Sequence, residues 1–298
     1  MKNKFFMTTE VNDYVTRITG LGGENAYLIR GSERALLFDG LTGVGSLKAF
    51  VRELTDLPVF LVLSHGHPDH EGAAFEYGEC FINPDDIGLM YSEFACGIEG
   101  RYNYVTAPSP LKPDTKNVVT MEDVLPPVPV KTWPVYDGDV FNLGGVQLEV
   151  IQVPGHTRGT IVLLDRKARI VYSGDAINPN TLMNLYGSTT IEEYKESVLH
   201  LKEYQKDFDV MYGGHGLDGI PASIIDDALM LCDKILDGTD ASIEEMGLGG
   251  IGYLAAERGP EFLPVYGGFS NIVYSKRNIR GKKMSAVLEG RPYIDSRA

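Results

Sequence analysis

The chain has 298 residues, 43% apolar and 23% charged, an ordinary composition for a globular protein with length enough to bury a sizeable core. Its net charge of −14 disfavours a sequence-independent grip on nucleic-acid phosphates, which calls for clustered lysine and arginine. No apolar run reaches the roughly 18 residues of a membrane span, and Phe5-Phe6-Met7 is too short for a signal-peptide core. The expectation is a cytoplasmic protein with neither a membrane nor a nucleic-acid partner.

Residues 14–18, 25–30 and 35–39 read as strands, separated by glycine-rich turns at 20–23 and at Gly31-Ser32. Asp39 closes the third ahead of Gly40. Leu47, Phe50, Val51 and Leu54 at helical spacing predict a helix over 45–54. An apolar strand over 58–63 then runs into Ser64-His65-Gly66-His67-Pro68-Asp69-His70, which holds three of the chain's six histidines. Gly66 and Pro68 break the strand, so the backbone turns sharply and can aim successive side chains at one point. Imidazole nitrogens and a carboxylate oxygen are good ligands for zinc and similar divalent metals. Four donors on one short loop suffice to begin two adjacent sites, and a solvated polar loop would not concentrate half the histidines.

From 76 to about 131 periodicity weakens and prolines accumulate (108, 110, 113, 126, 127, 129), the pattern of a lid or binding loop. A short helix can start at Asn83-Pro84-Asp85-Asp86 and run to Phe94. Tyr91, Phe94, Tyr102 and Tyr104 are candidates to line a site, with simple packing the alternative for each. Strands are expected at 132–136, 146–153, 160–164 and 169–173, which puts His156 and Asp175 just beyond strand ends. Thr190 and Glu193 form a capping box for a helix to about 206. His200 falls off that helix's apolar stripe and reads as solvated. Strand 210–212 leads to His215, and a helix spans 221–237 with Pro221 at its start and Gly238 at its end. Residues 239–298 hold glycine-rich turns and an edge strand at 271–274. From Tyr274 onward seven basic residues against two acids give +5, so the preceding body carries −19. Such a tail folds back or meets a second subunit, and a homodimer through this extension is an expectation. Cys80, Cys96 and Cys232 are odd in number with no CxxC, which argues against a disulfide framework and fits a reducing compartment.

The His-x-His-x-Asp-His loop resembles that of the metallo-β-lactamase-fold hydrolases, and the resemblance extends downstream in the expected order. Pro154-Gly155-His156-Thr157 is similar to the family's third-histidine loop, Ser173-Gly174-Asp175-Ala176 to its bridging aspartate, and Gly213-Gly214-His215-Gly216 to its last histidine. The match covers roughly residues 12–237. It implies an α/β fold, the four-layer αβ/βα sandwich, in a domain over 1–238 with a lid-like insert at about 76–131 and an extension over 239–298. It also implies one metal on His65, His67 and His156, a second on Asp69, His70 and His215, and Asp175 bridging both. Two divalent ions would serve as cofactors, zinc first, with iron or manganese as alternatives. Asp39 resembles the aspartate beneath the family's metal loop that orients a ligand, although a turn cap explains it equally well.

The chemistry so implied is hydrolysis of a small ester, thioester or lactone by a bridging hydroxide, with Asp69 as proton carrier. Asp175 stands where zinc β-lactamases usually carry Cys or Ser, which weighs against penicillin hydrolysis. His67 stands where flavodiiron reductases carry Glu. The glutathione-binding pattern of glyoxalase II is not evident in 239–298, and Tyr186 is a weak match to the site tyrosine of acyl-homoserine lactonases. Two other readings compete: a mononuclear iron oxidoreductase of the persulfide-dioxygenase kind on the positions of His65, His156 and Asp175, and a metal-bearing ligand-binding protein without turnover.

Overall fold

The computed structural model describes residues 4–281 except 93–94, 96, 109–111, 113, 217–218 and 260–262. Cys96, Phe94, Pro110, Pro113 and the basic side chains from Lys282 onward, with the dimer expectation that rests on that tail, therefore lie outside the described residues. The chain divides into two compact units.

The first unit comprises 1–153, 159–176 and 204–222. It holds a seven-stranded sheet in sequential order, β1 (Met7–Asn12), β2 (Val15–Thr19), β3 (Asn25–Arg30), β4 (Ala35–Phe38), β5 (Val59–Val62), β6 (Glu79–Ile82) and β7 (Lys131–Pro134). Pairing is antiparallel from β1 to β4 and parallel from β4 to β7. Side chains of β3 and β4 alternate between two apolar cores, as a strand buried on both faces requires. Ala35 and Leu37 join Leu28, with Leu47 and Val51 of the helix Leu47–Leu54, on one face. Leu36 and Phe38 join Tyr27 and Ile29 on the other. That second face packs against Leu148, Val150, Ile161, Leu163 and Tyr172 of another sheet, so the heart of this unit is sheet on sheet.

The second sheet has six strands, β8 (Val140–Asn142), β9 (Gln147–Gln152), β10 (Ile161–Asp165), β11 (Ile170–Gly174), β13 (Val210–Gly213) and β14 (Ile220–Pro221), in the order β14-β13-β11-β10-β9-β8. Only β11 and β13 pair in parallel. Parallel neighbours bring their C-terminal ends to the same edge. Asp39 and the 64–70 loop thus leave one edge of the first sheet, after β4 and β5, while Asp175 and His215 leave one edge of the second, after β11 and β13.

The other unit comprises 154–158, 177–203 and 223–298. Its sheet orders β12 (Thr181–Met183), β17 (Ile272–Tyr274), β16 (Gly250–Leu254) and β15 (Ile243–Gly247). The helices Ile191–Lys202 and Ile224–Asp237 pack against each other. The first is capped by the expected box: Glu193 N donates to Thr190 Oγ1 at 3.1 Å and Thr190 N to Glu193 Oε2 at 2.9 Å. The helix expected at 221–237 begins at Ile224 instead, because Pro221 pairs with Val210 in the edge strand β14, where its missing N–H costs nothing. The described chain has no helix long and apolar enough to cross a membrane.

Leu163 is wholly buried between the two sheets. Leu163→Ala is expected to lower unfolding free energy by about 2–5 kcal/mol in urea titration, with little change in the denaturant slope.

Candidate metal centre

Within the first unit the structure brings His65, His67, Asp69, His70, Asp175 and His215 together. Asp39 stands at the centre of their support. Its φ of +69° lies in the left-handed region, which costs a non-glycine residue energy and turns the carboxylate back under the histidine loop. Asp39 Oδ1 accepts the Ser64 amide at 2.7 Å, and Oδ2 accepts the Ser64 hydroxyl at 2.9 Å. His70 Nδ1 lies 2.9 Å from the same Oδ2, and His65 Nδ1 lies 2.9 Å from Ser64 Oγ. Because the Ser64 hydroxyl is spent on Asp39, both imidazoles donate through Nδ1. One carboxylate therefore orients His70 directly and His65 through Ser64, and puts the ligating lone pair of each on Nε2.

The donor spacings fit a cation. His70 Nε2 is buried and makes no hydrogen bond. It lies 3.7 Å from Asp69 Oδ2 and 3.7 Å from Asp175 Oδ2, while His215 Nε2 lies 3.2 Å from Asp69 Oδ2 and 3.5 Å from Asp175 Oδ2. Ligands at about 2.1 Å around a tetrahedral zinc stand about 3.4 Å from one another, so these separations are close to the edges of a coordination shell, and Asp69, His70 and His215 form one group able to hold an ion. His65, His70 and Asp175 form a second close group, and His65 Nε2 is 3.1 Å from His67 Nδ1. Gly214 is required by this crowding: a Cβ there would fall 2.5 Å from His70 Cε1 and 2.6 Å from Asp175 Oδ1.

Charge points the same way. Burial works against a charged His70, yet the carboxylates of Asp39, Asp69 and Asp175 outweigh it and push its pKa up to about 9. His215 is likewise raised by Asp175 and Asp69 against its own burial. Burial would lift Asp69, but His70, His215 and His67 hold it below the ordinary carboxylate range. Three carboxylates gathered from the ends of two sheets demand positive charge, from imidazolium protons or from cations that displace them.

His156 belongs to the second unit. Its Nδ1 donates to the Leu182 carbonyl at 2.8 Å, which puts the lone pair of the neutral ring on Nε2, and Ser188 Oγ donates to the His156 carbonyl at 2.8 Å. His200 is half-buried on its helix and belongs to no metal-holding group among the described residues. Tyr186 is 70% exposed.

Several supporting residues escape the motif reading. Asp86 accepts the Gly66 amide at 2.9 Å and the Gly159 amide at 2.7 Å, which anchors the histidine loop. Glu24 is buried with Oε1 on the Thr42 hydroxyl (2.5 Å) and amide (3.2 Å), and burial raises its pKa. Tyr104, a wall candidate from sequence, donates its hydroxyl to Asp69 Oδ2 at 2.9 Å. Ser64, directly before the motif, had a local signal, whereas Glu24 and Asp86 had none.

The sequence pattern of the Metallo-beta-lactamase superfamily matches residues 19–215. The chain is 29% identical over 192 residues to a Gallus gallus protein named acyl-coenzyme A thioesterase MBLAC2, a match covering 60% of this chain and 66% of that one. It thus spans just under two-thirds of that relative's length. Among solved structures, a metallo-beta-lactamase from Pontibacter korlensis superposes with a TM-score of 0.54 at 18% identity, over 76% of this chain and 99% of that one. A double mutant of the sec-alkyl sulfatase PisA1 superposes with a TM-score of 0.61 at 16% identity, over 78% and 42% respectively. These likenesses identify the fold as the metallo-β-lactamase α/β sandwich.

Asp39→Asn keeps the side-chain shape but replaces one acceptor oxygen with a donor. It is expected to weaken divalent-cation binding about 10–100-fold, read by competition with a chromophoric chelator.

Proposed function

We propose that this chain, which belongs to the metallo-beta-lactamase superfamily, is a two-cation hydrolase that cleaves acyl thioesters, with esters and lactones as related substrates. The observation that carries this reading is the 3.2–3.7 Å spacing of Asp69, His70, His215 and Asp175 around a buried, unbonded imidazole nitrogen. The thioester is favoured by the name of the relative at 29% identity. In the proposal His65, His67 and His156 hold one ion, Asp69, His70 and His215 the other, and Asp175 bridges. Zinc suits this set of imidazoles and carboxylates, and two such ions would supply an ionised water near neutral pH and a Lewis acid for the acyl carbonyl.

The chain's own groups do the rest. Asp175 provides the anionic bridge without which two like charges would repel. Asp39 and Ser64 hold the His70 and His65 rings, so neither has to reorganise during turnover. Asp69, with Oδ2 3.2 Å from His215 Nε2, could take a proton from the attacking water and return it to the departing sulfur. No serine or cysteine nucleophile is needed. Cys80 and Cys232 are buried, with burial pushing each thiol up to about 12, so both are held as inert thiols.

The decisive experiment combines metal analysis with a substrate screen of the zinc-reconstituted protein. Two ions per chain and turnover of acyl-coenzyme A thioesters are expected. One iron per chain with oxygen uptake, or turnover of phosphodiesters alone, overturns the reading. Asp69→Asn is expected to lower kcat by about 10²–10⁴ in the same thioester assay. Unchanged turnover would remove Asp69 from the proton path.

A further inference from the structure

The tyrosine hydroxyl at Asp69 comes from a place where the motif ligands do not. It is carried by the helix Ile98–Thr106, inside the 76–131 insert. The oxygen it meets is Oδ2, the one that lies 3.2 Å from His215 Nε2 and 3.7 Å from His70 Nε2. A carboxylate oxygen has two lone pairs, and an ionised aspartate only accepts. The Tyr104 hydroxyl must therefore donate, which occupies one lone pair of Oδ2 and leaves the other toward the two imidazoles. The terminal torsion of aspartate is soft, with broad wells, so Asp69 needs such a bond to present one oxygen in one direction.

Three contacts show that the tyrosine is held. One turn earlier on the helix, Arg101 is fully buried and donates to the Thr42 carbonyl at 3.2 Å and the Leu125 carbonyl at 2.5 Å, with its guanidinium 4.9 Å from the Phe75 ring centre. At the other end, Lys112 Nζ donates to the Tyr104 and Val105 carbonyls at 2.6 and 2.7 Å, satisfying last-turn acceptors. The ring itself lies in a slot that only glycine leaves open: a Cβ on Gly22 would stand 2.7 Å from Tyr104 Cε1 and 2.5 Å from Glu24 Oε2. Glu24 is fixed in turn by Thr42, the residue whose carbonyl takes Arg101. Helix, slot and hydroxyl form one connected support.

We propose that Tyr104 is the positioning residue for Asp69, selecting the oxygen and lone pair that the second cation uses. The insert then takes part in the metal centre as well as forming a wall beside it. The proposal rests on the two-cation reading above.

Zinc binding to the metal-free protein tests it, by competition with a chromophoric chelator and with the thermal midpoint of the metal-free form as control. Wild type should take up two ions. Tyr104→Phe should bind the first with unchanged affinity and the second about 10-fold or more weakly, at an unchanged midpoint. Gly22→Ala, which fills the slot but keeps the hydroxyl, should reproduce the loss at the second ion. Two ions bound equally by wild type and Tyr104→Phe overturn the positioning role. Equal weakening of both ions with a lowered midpoint also overturns it, in favour of a packing role. Fewer than two ions in wild type would instead overturn the two-cation reading beneath it.

Discussion

Carboxylates crowded at the end of a β-sandwich are the constraint from which the rest of the site follows. Asp39, Asp69 and Asp175 all act on His70, against a burial penalty that would leave that ring neutral. In a low-dielectric setting such a cluster is stable only if positive charge is interleaved with it. Several nearby features meet that need: the imidazoles lie between acids, the Ser64 hydroxyl and amide both face Asp39, and Tyr104 donates to Asp69. A site so rich in acceptors is costly as mere structure. It becomes economical when divalent charge supplies the balance.

The fold makes this crowding possible by strand direction. β4 and β5 run parallel, as do β11 and β13, so each pair delivers its following loops to one edge. The sheets are joined near that edge as well: the Asn25 amide donates to the Gly214 carbonyl at 2.7 Å and the Tyr27 hydroxyl to Gly213 at 2.6 Å. Backbone around the last histidine is thereby tied to the first sheet. The apolar face between the sheets is what sets the distances. Because Leu36, Phe38, Leu163 and Tyr172 are wholly buried there, the two edges cannot slide without breaking packing.

Much of this was legible before any coordinates. Strands β2 to β5 and β9 to β11 follow from alternating or continuous apolar runs, and β3 coincides with its expected range to the residue. The donors on short loops after strands are legible because histidine is rare here and each loop carries glycine, two of them with proline as well. What escaped shares one physical character. The helix Ile98–Thr106 has weak apolar periodicity, since its important members are Arg101, buried on backbone carbonyls, and Tyr104, half-buried with its hydroxyl on Asp69. The hairpin β15–β16 alternates poorly, with exposed Met246, Leu248 and Ile251 beside Glu244 and Glu245. Asp39 was ambiguous from sequence because a turn cap and a ligand-orienting carboxylate both sit at a strand end. Only its left-handed φ and its three hydrogen bonds separate them.

The supporting residues, Glu24 and Asp86 without a motif signal and Tyr104 expected only as a wall residue, couple elements far apart in the chain. Glu24 meets Thr42, Asp86 meets Gly66 and Gly159, and Tyr104 meets Asp69, each across many residues and through side chains common in any loop. A metal ligand must be one of a few residue types, so its position leaves a trace in the sequence. A hydrogen-bond donor that steadies a ligand can be any of several types from any element that passes near, and leaves none. Divergence among superfamily members in the segments between ligand loops is thus compatible with an unchanged ligand set. A donor such as Tyr104, carried by a segment between ligand loops, can steady the same ligand set without belonging to its motif.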